Sequence, residues 1–133
     1  MKTIQHVVQE FLLHMGNRDL NPLLLLFDDR VDWYIPGDES RISWLGTRQH
    51  KSEIRVFFET LWANTLPLST TLDGVFTQGA DAVIAAEFSV QMLPTGCILT
   101  SPVFIMLTIN SQGKIIKYRL LEDSFIVSES MKS

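Results

Sequence analysis

An aspartate near the end of the chain is the residue whose surroundings most favour chemistry. Asp123 lies among Leu120, Leu121, Phe125 and Ile126 in a run typical of a strand. A carboxylate with such neighbours is either paired or has a raised pKa. A raised pKa would suit acid–base work on a carbon acid. The alternatives are a structural carboxylate satisfied by a backbone cap or by Arg119, which could instead hold an anionic group of a substrate.

Two other polar side chains could assist such a group. His14 lies near the end of an amphipathic N-terminal helix, and histidine titrates near neutral pH, although a helix cap or a partly buried spectator is the commoner role. Tyr34 and Trp33 are neighbours on a short strand, so only one of them can face the interior, and we expect it to be Trp33. His6 and His14 are about 12 Å apart along the helix, too far to share an ion. We therefore expect neither a metal nor a cofactor.

Three helices are predicted to position these residues. Thr3 is a plausible cap of the first helix, which has an apolar stripe as far as Met15. Asn21 and the proline after it are typical of the start of a second, short helix. Apolar residues at i, i+3, i+4, i+7 and i+8 predict a third helix from about Ser52, which ends before Pro67.

Strands dominate the rest of the chain. A short strand at 31–35 precedes a loop at 38–50, and four longer strands are predicted at 68–78, 82–92, 98–109 and 114–127. These elements predict an α+β fold, in which helices pack on one face of a strongly curved antiparallel sheet. We expect residues 1–133 to form one domain, with 128–133 as a frayed tail.

Composition and charge exclude several classes of protein. The chain of 133 residues is 46% hydrophobic and 20% charged, which indicates a globular protein. Its net charge is −4, and no cluster of lysines and arginines offers a basic face, so we expect neither nucleic acid nor membrane as a partner. Cys97 is the only cysteine, and the apolar runs are too short to span a membrane. We expect no signal peptide, because polar residues interrupt the N-terminal apolar pattern. We expect a cytoplasmic protein.

The order of three sequence motifs resembles the SnoaL-like, ketosteroid isomerase-like branch of the nuclear transport factor 2-like family. The motifs are VDWYIPGD at 31–38, LGT followed by KSEIRVFF at 45–58, and GKIIKYRLLED at 113–123. The resemblance covers nearly the whole chain. The resemblance implies a cone-shaped sheet that wraps the long helix around a deep pocket. It also implies a homodimer through the outer face of the sheet.

The resemblance does not extend to the ketosteroid isomerase reaction. Those enzymes move a proton with an aspartate and stabilise the charged intermediate with a tyrosine and a neutral aspartic acid. The three matching positions hold Phe11, Ile35 and Phe104, all of them apolar. Classical ketosteroid isomerase chemistry, which depends on polar groups at those three positions, is therefore not expected.

Two other catalytic patterns of similar proteins can be compared. Epoxide hydrolases of the limonene type use an arginine between two aspartates; Asp123 matches one aspartate, but Glu87 and Ser89 stand near the other two positions. Polyketide cyclases of the SnoaL type use one acid–base aspartate in a largely apolar pocket, and Asp123 again matches it. The cyclase pattern alone is left intact.

The resemblance leaves three functions open, and two of them are supported by the residues. The first is a small-molecule isomerase or cyclase that transfers a proton on an apolar carbonyl substrate, with Asp123 as the acid–base group and His14 or Tyr34 assisting. The second is a non-catalytic module that binds a hydrophobic ligand or a partner protein. Protein transport is a third, for which the sequence shows no partner surface. The expected ligand-binding residues are Phe11, Trp33, Ile35, Trp44, Phe58, Trp62, Phe104, Met106 and Arg119.

Overall fold

The computed structural model describes residues 3–132, which form four helices and one six-stranded sheet. The helices are α1 (Ile4–Gly16), α2 (Leu20–Leu24), α3 (Lys51–Asn64) and α4 (Ser124–Ser130). The strands are β1 (Phe27–Ile35), β2 (Gly46–His50), β3 (Thr65–Gln78), β4 (Asp81–Met92), β5 (Ile98–Ile109) and β6 (Ile115–Glu122). No helix among these residues is long and apolar enough to cross a membrane.

Local capping explains where the first and third helices begin. The Thr3 side chain accepts a hydrogen bond from the backbone of His6 at 3.1 Å, as predicted for a cap. Glu53 accepts hydrogen bonds from the backbone N–H groups of Gln49 and His50, which satisfies donors that precede α3. The predicted apolar stripe of α3 is confirmed, because its buried residues include Phe57 and Phe58.

The sheet has the strand order β2-β1-β6-β5-β4-β3. Every neighbouring pair is antiparallel except β1 and β6, which run parallel. The predicted α+β cone with a curved sheet is confirmed, and the sheet is mixed rather than fully antiparallel. The segment expected to be a loop at 38–50 contains β2, which pairs with β1.

Alternation along the strands separates an inner from an outer face of the sheet. On β5 every second residue from Leu99 to Ile109 is buried against the helices, and the residues between them point outward. The concave inner face and the helices enclose the core, whose largest fully buried side chains are aromatic. They are Trp33, Tyr118, Phe11, Phe27, Phe57 and Phe58.

The C-terminal segment differs from its prediction. The last strand, expected at 114–127, ends at Glu122, and α4 follows it. The segment 128–133 was expected to fray, yet Ser128 and Ser130 are buried. The Ser128 hydroxyl donates to Asp38 at 2.8 Å and accepts from Arg41 at 2.9 Å, which anchors α4 to the loop after β1. Residue 133 lies outside the described part of the chain.

Candidate active site

The carboxylate that faces the interior is Glu122, one residue before the predicted Asp123. On β6, Tyr118, Leu120 and Glu122 occupy alternate positions on the inner face, and Glu122 pairs with the inward Val103 of β5. Burial raises the pKa of Glu122 to about 7. Within residues 3–132 its side chain has no hydrogen bond or ion pair. Glu122 can therefore gain or lose a proton near neutral pH.

The neighbours of Glu122 on the sheet explain why its charge is disfavoured. The row that crosses the sheet at Glu122 continues through Val103 to Ala86, both small and apolar. The next inward pair is Ser101 and Phe88. The Ser101 hydroxyl donates to its neighbouring backbone carbonyl, so it offers Glu122 no compensating hydrogen bond. A carboxyl in such a row is desolvated without being paired, which favours its neutral form.

Tyr118 and Trp33 form a stacked aromatic pair further along the inner face. Their ring centroids are 3.9 Å apart and their planes differ by 9°. Both side chains are buried, and neither Tyr118 Oη nor Trp33 Nε1 has a hydrogen-bond partner among the described residues. Burial, with a smaller contribution from the Glu122 charge, raises the pKa of Tyr118 far above its usual value. The Tyr118 hydroxyl is therefore neutral and able to donate.

Aromatic rings surround this pair. Phe57 and Phe58 meet Trp33 edge-on at 4.8 and 5.9 Å, and the Phe11 ring lies 6.1 Å from Tyr118. The prediction that Trp33 faces the interior is confirmed. Most of the predicted lining residues also lie in or against the core, although ligand binding by them stays a prediction. They are Phe11, Trp33, Ile35, Trp44, Phe58 and the partly buried Trp62.

The prediction placed Asp123 on the last strand, but the strand ends at Glu122 and Asp123 lies just before α4. Its side chain caps α4 by accepting a hydrogen bond from the Ile126 backbone at 3.2 Å. Its own backbone N–H donates to the Ser101 hydroxyl at 2.9 Å. The sequence left a backbone cap open as the alternative role of Asp123, and the structure shows that cap. Nothing in this geometry supports catalysis by Asp123.

Four predicted site residues lie on the outer face of the sheet instead of in the interior. The alternation that buries Ile105 and Leu107 points Phe104 and Met106 outward. Arg119 also lies outward on β6 and pairs with Asp32 at 2.9 Å, not with Asp123. The fourth is Tyr34, which is beside Arg119 in the parallel pairing of β1 and β6 and is partly exposed.

His14 lies on the last turn of α1 and is partly buried. Among the described residues its side chain makes no hydrogen bond or ion pair, so the structure does not join it to Glu122. The same part of the chain contains no group of three histidine, cysteine, aspartate or glutamate side chains placed to hold a metal ion.

Two depressions open on the surface of the protein. One of about 400 Å³ lies between α2 and α3 and is lined by Asn21, Leu24, Leu25, Lys51, Ser52 and Arg55. The other, of about 370 Å³, lies at the irregular pairing of β1 with β2 and reaches Trp33. Neither depression is lined by Glu122 or Tyr118, whereas Trp33 lines the second.

Sequence reasoning missed Glu122 and Tyr118 as site residues. The signal was present in the alternation of β6, because the charged Lys117 and Arg119 mark the outward face. Counting by two from Tyr118 then places Glu122 inward. The assignment of Asp123 came from matching a motif, which ignored this parity.

Comparison with known proteins agrees with the geometry of the fold. The family model of the SnoaL-like domain matches residues 8–118, which is most of the chain. The chain belongs to the SnoaL-like domain family. A search of curated proteins found no match.

Solved structures share the fold at low sequence identity. A nuclear transport factor 2-like protein from Burkholderia thailandensis is 18% identical, with a TM-score of 0.87 and all of both chains covered. A candidate isomerase from Rhodopseudomonas palustris is 19% identical, with a TM-score of 0.84, 96% of this chain covered and 97% of that one. A candidate SnoaL-like polyketide cyclase from Mesorhizobium loti is 18% identical, with a TM-score of 0.74 and coverage of 90% and 98%. These likenesses show the fold alone.

Proposed function

We propose that this member of the SnoaL-like family is a small-molecule isomerase or cyclase in which Glu122 transfers a proton on an apolar carbonyl substrate. The observation that carries the proposal is an inward-facing, unpaired carboxyl whose pKa is raised to about 7 by an apolar interior. A general acid–base group is most effective when its pKa lies near the working pH. The structural likeness to a candidate isomerase and a candidate polyketide cyclase agrees with this reaction class.

The chemistry follows from the two protonation states of Glu122. As a carboxylate it takes a proton from a carbon next to the substrate carbonyl, which leaves an enolate. As a carboxylic acid it returns that proton to another carbon, for an isomerisation. In a cyclisation the enolate carbon instead attacks a second carbonyl carbon, and the new alkoxide takes the proton. No oxidant, reductant or metal enters either sequence.

Deuterium exchange tests the proposal without knowledge of the natural substrate. Cyclic ketones such as 1-tetralone are incubated in D₂O with the protein, and loss of the α-proton signal is followed by NMR. We expect the protein to accelerate exchange and Glu122→Gln to lower the rate by about 10²-fold or more. Asp123→Asn is the matched control, because asparagine also caps helices, and should keep the rate. Exchange that survives Glu122→Gln but not Asp123→Asn would contradict the assignment.

A non-catalytic role in binding an apolar ligand is the second candidate. It is favoured by Phe11 and Ile35, which hold two of the positions that are polar in ketosteroid isomerases and lie fully buried in the core. Binding of ketones without acceleration of exchange would select this function. A cytoplasmic location and the absence of a cofactor stay predictions.

We also propose that the protein is a homodimer through the outer face of the sheet. Phe76, Phe104 and Leu121 are 65%, 50% and 51% exposed there. They lie on two adjacent apolar rows, Gly74–Ala85–Phe104–Leu121 and Phe76–Val83–Met106. A polar row of Asp81, Thr108, Lys117 and Asp32 borders them, as at the rim of an interface. Sedimentation equilibrium should give a dimer that Phe104→Asp dissociates; a monomeric wild-type protein would contradict the proposal.

A further inference from the structure

The depression of about 370 Å³ opens where the pairing of β1 with β2 is interrupted. The register shifts between Arg30 and Trp33, so that two residues of β1, 31 and 32, stand opposite Gln49 alone. A bulge of this kind bends its strand and redirects side chains, and bulges are over-represented beside functional sites. Residues 30–33 and 47–49 line the depression. The bulge therefore brings side chains of two strands together at one edge of the sheet.

Arg48 is a partly buried cation in this depression. Its Nη1 donates to the Trp44 carbonyl at 3.0 Å, and its guanidinium carbon lies 5.4 Å from the centre of the Phe57 ring. Burial lowers the pKa of Arg48, and the charges of Glu53 and Glu39 offset this only in part. No acid within residues 3–132 forms an ion pair with Arg48. Neutral groups therefore hold the guanidinium in place, and its charge is left for an anion from outside the chain.

A second arginine lines the same depression. Arg30 is exposed, and among the described residues its side chain makes neither a hydrogen bond nor an ion pair. The acid in the lining, Asp32, is already paired with Arg119 at 2.9 Å. Arg30 and Arg48 are thus two cations in one depression that no acid in the described part of the chain contacts, although the net charge of the protein is −4. An anion bound there would relieve their mutual repulsion.

The surroundings restrict the kind of anion. A guanidinium presents a planar fork of N–H groups that matches the two oxygens of a carboxylate. A dianion such as phosphate is disfavoured, because the charges of Glu53 and Glu39 already act on Arg48. Val31 and Trp33 contribute apolar surface to the lining, which suits a carbon body. Small-molecule sites have volumes of about 300 to 1,000 Å³, so this depression suits a small ligand.

We propose that Arg30 and Arg48 bind the carboxylate of a small organic acid at the bulge between β1 and β2. The apolar part of the acid lies against the apolar part of the lining. Thr47 and Gln49 also line the depression, and their side chains make no hydrogen bond among the described residues, so both can donate to the carboxylate oxygens. Glu122 does not line the depression, so this inference goes beyond the proposed function and does not depend on it.

Calorimetric titration of the full chain with benzoate tests the inference. We expect saturable binding that Arg30→Gln weakens about tenfold or more, because a hydrogen bond to a charged group is lost. Arg48→Gln should weaken binding as well. Arg48 packs on Phe57, so the exposed Arg30 provides the test if the Arg48 variant fails to fold. Amide NMR shifts on addition of benzoate should concentrate at residues 30–33 and 47–49.

Arg55→Gln is the matched control, because Arg55 is an exposed arginine that lines the other depression. It should bind benzoate as the wild type does. Binding that Arg55→Gln weakens and Arg30→Gln does not would place the anion in the other depression and overturn the inference. Equal binding of benzamide, the neutral isostere of benzoate, would overturn it too, because the carboxylate would then not be recognised.

Other acids test the class of ligand and its place in the molecule. Phosphate should bind more weakly than benzoate, and tighter binding of phosphate would overturn the assignment to organic acids. Failure of both benzoate and hexanoate to bind would overturn the inference as a whole. Glu122→Gln should keep the binding of benzoate. Loss of benzoate binding in that variant, with binding retained in Arg30→Gln, would place the acid in the interior and contradict the site at the bulge.

Discussion

Trp33 and Tyr118 stack nearly face to face across the parallel pair β1 and β6, and each holds a buried donor without a partner. The stack joins the strand that follows the N-terminal helices to the last strand of the sheet. It lies on the same inner face as Glu122, whose charge raises the pKa of Tyr118 further. Polar groups that could act on a ligand are therefore concentrated on one face of an otherwise apolar interior.

Tyr118→Phe should stabilise the protein in the absence of ligand. The substitution removes a buried hydroxyl that has no partner and keeps the ring, so we expect the free energy of unfolding to rise by about 1 kcal/mol. Urea denaturation measures it. Tyr34→Phe, on the outer face, should change the value by less than about 0.5 kcal/mol. A loss of stability in Tyr118→Phe would mean that the hydroxyl is already satisfied, for instance by a buried water.

Glu122 should make stability fall as the pH rises. Its pKa is about 7 in the folded protein, against an ordinary value of 4.5, so the folded state holds the proton more tightly than the unfolded state. The contribution is complete below about pH 4.5, is lost between there and about pH 7, and amounts to roughly 3 kcal/mol. Glu122→Gln should therefore stabilise the protein more at pH 8 than at pH 5.

Comparison of the wild-type protein with Glu122→Gln isolates the contribution of Glu122 to stability. Asp38 and Glu53 have pKa values lowered mainly by hydrogen bonds, from Ser40 and from the Gln49 backbone, and their contributions have the opposite sign. They cancel in the difference between wild type and Glu122→Gln at each pH. Glu129→Gln, on an exposed residue of α4, is the control and should leave the pH profile unchanged. A difference that does not vary with pH would contradict the assignment.

The ion pair of Arg119 with Asp32 should contribute little to stability. The Asp32 side chain is 66% exposed, and exposed pairs contribute about 0 to 1 kcal/mol. A double-mutant cycle with Arg119→Ala and Asp32→Ala measures the coupling. Neither substitution should move the titration of Glu122, because both residues face outward. A shift in that titration on Arg119→Ala would place the guanidinium in the interior, as the sequence first indicated.

Docking of α4 can be tested with two adjacent residues. Val127 is buried and Ile126 is partly exposed on the same helix. We expect Val127→Ala to lower the free energy of unfolding by about 1 to 3 kcal/mol and Ile126→Ala by clearly less. Urea denaturation at one pH is sufficient. Negligible effects of both substitutions would restore the frayed tail that was predicted for this end of the chain.

Features encoded by neighbouring residues were predictable from the sequence. The Thr3 cap, the apolar stripe of α3 and the inward position of Trp33 depend on contacts within a turn or on the alternation of one strand. The end of β6 was not predictable in this way, because the spacing of apolar residues in 120–127 is compatible with either a strand or a helix. It depends on Asp123, which caps α4 and contacts Ser101 from a distant strand.

The position of Arg119 was also not predictable from neighbouring residues, whereas that of Phe104 was. Arg119 pairs with a residue 87 positions away in the chain, through a parallel pairing of β1 and β6 that no local pattern indicates. Phe104 was assigned to the pocket by its place in a family motif, although its neighbours on β5 alternate and place it outward. Strand parity would have corrected both Phe104 and Asp123.

A ¹³C NMR titration of the Glu122 side-chain carboxyl tests the central claim most directly. The resonance is assigned by its loss in Glu122→Gln, and its midpoint is read from chemical shift against pH. An interior acid–base carboxyl should titrate near pH 7. A midpoint at or below the ordinary value of 4.5 would mean a solvated or paired carboxylate, and would contradict the assignment of Glu122 as the acid–base group.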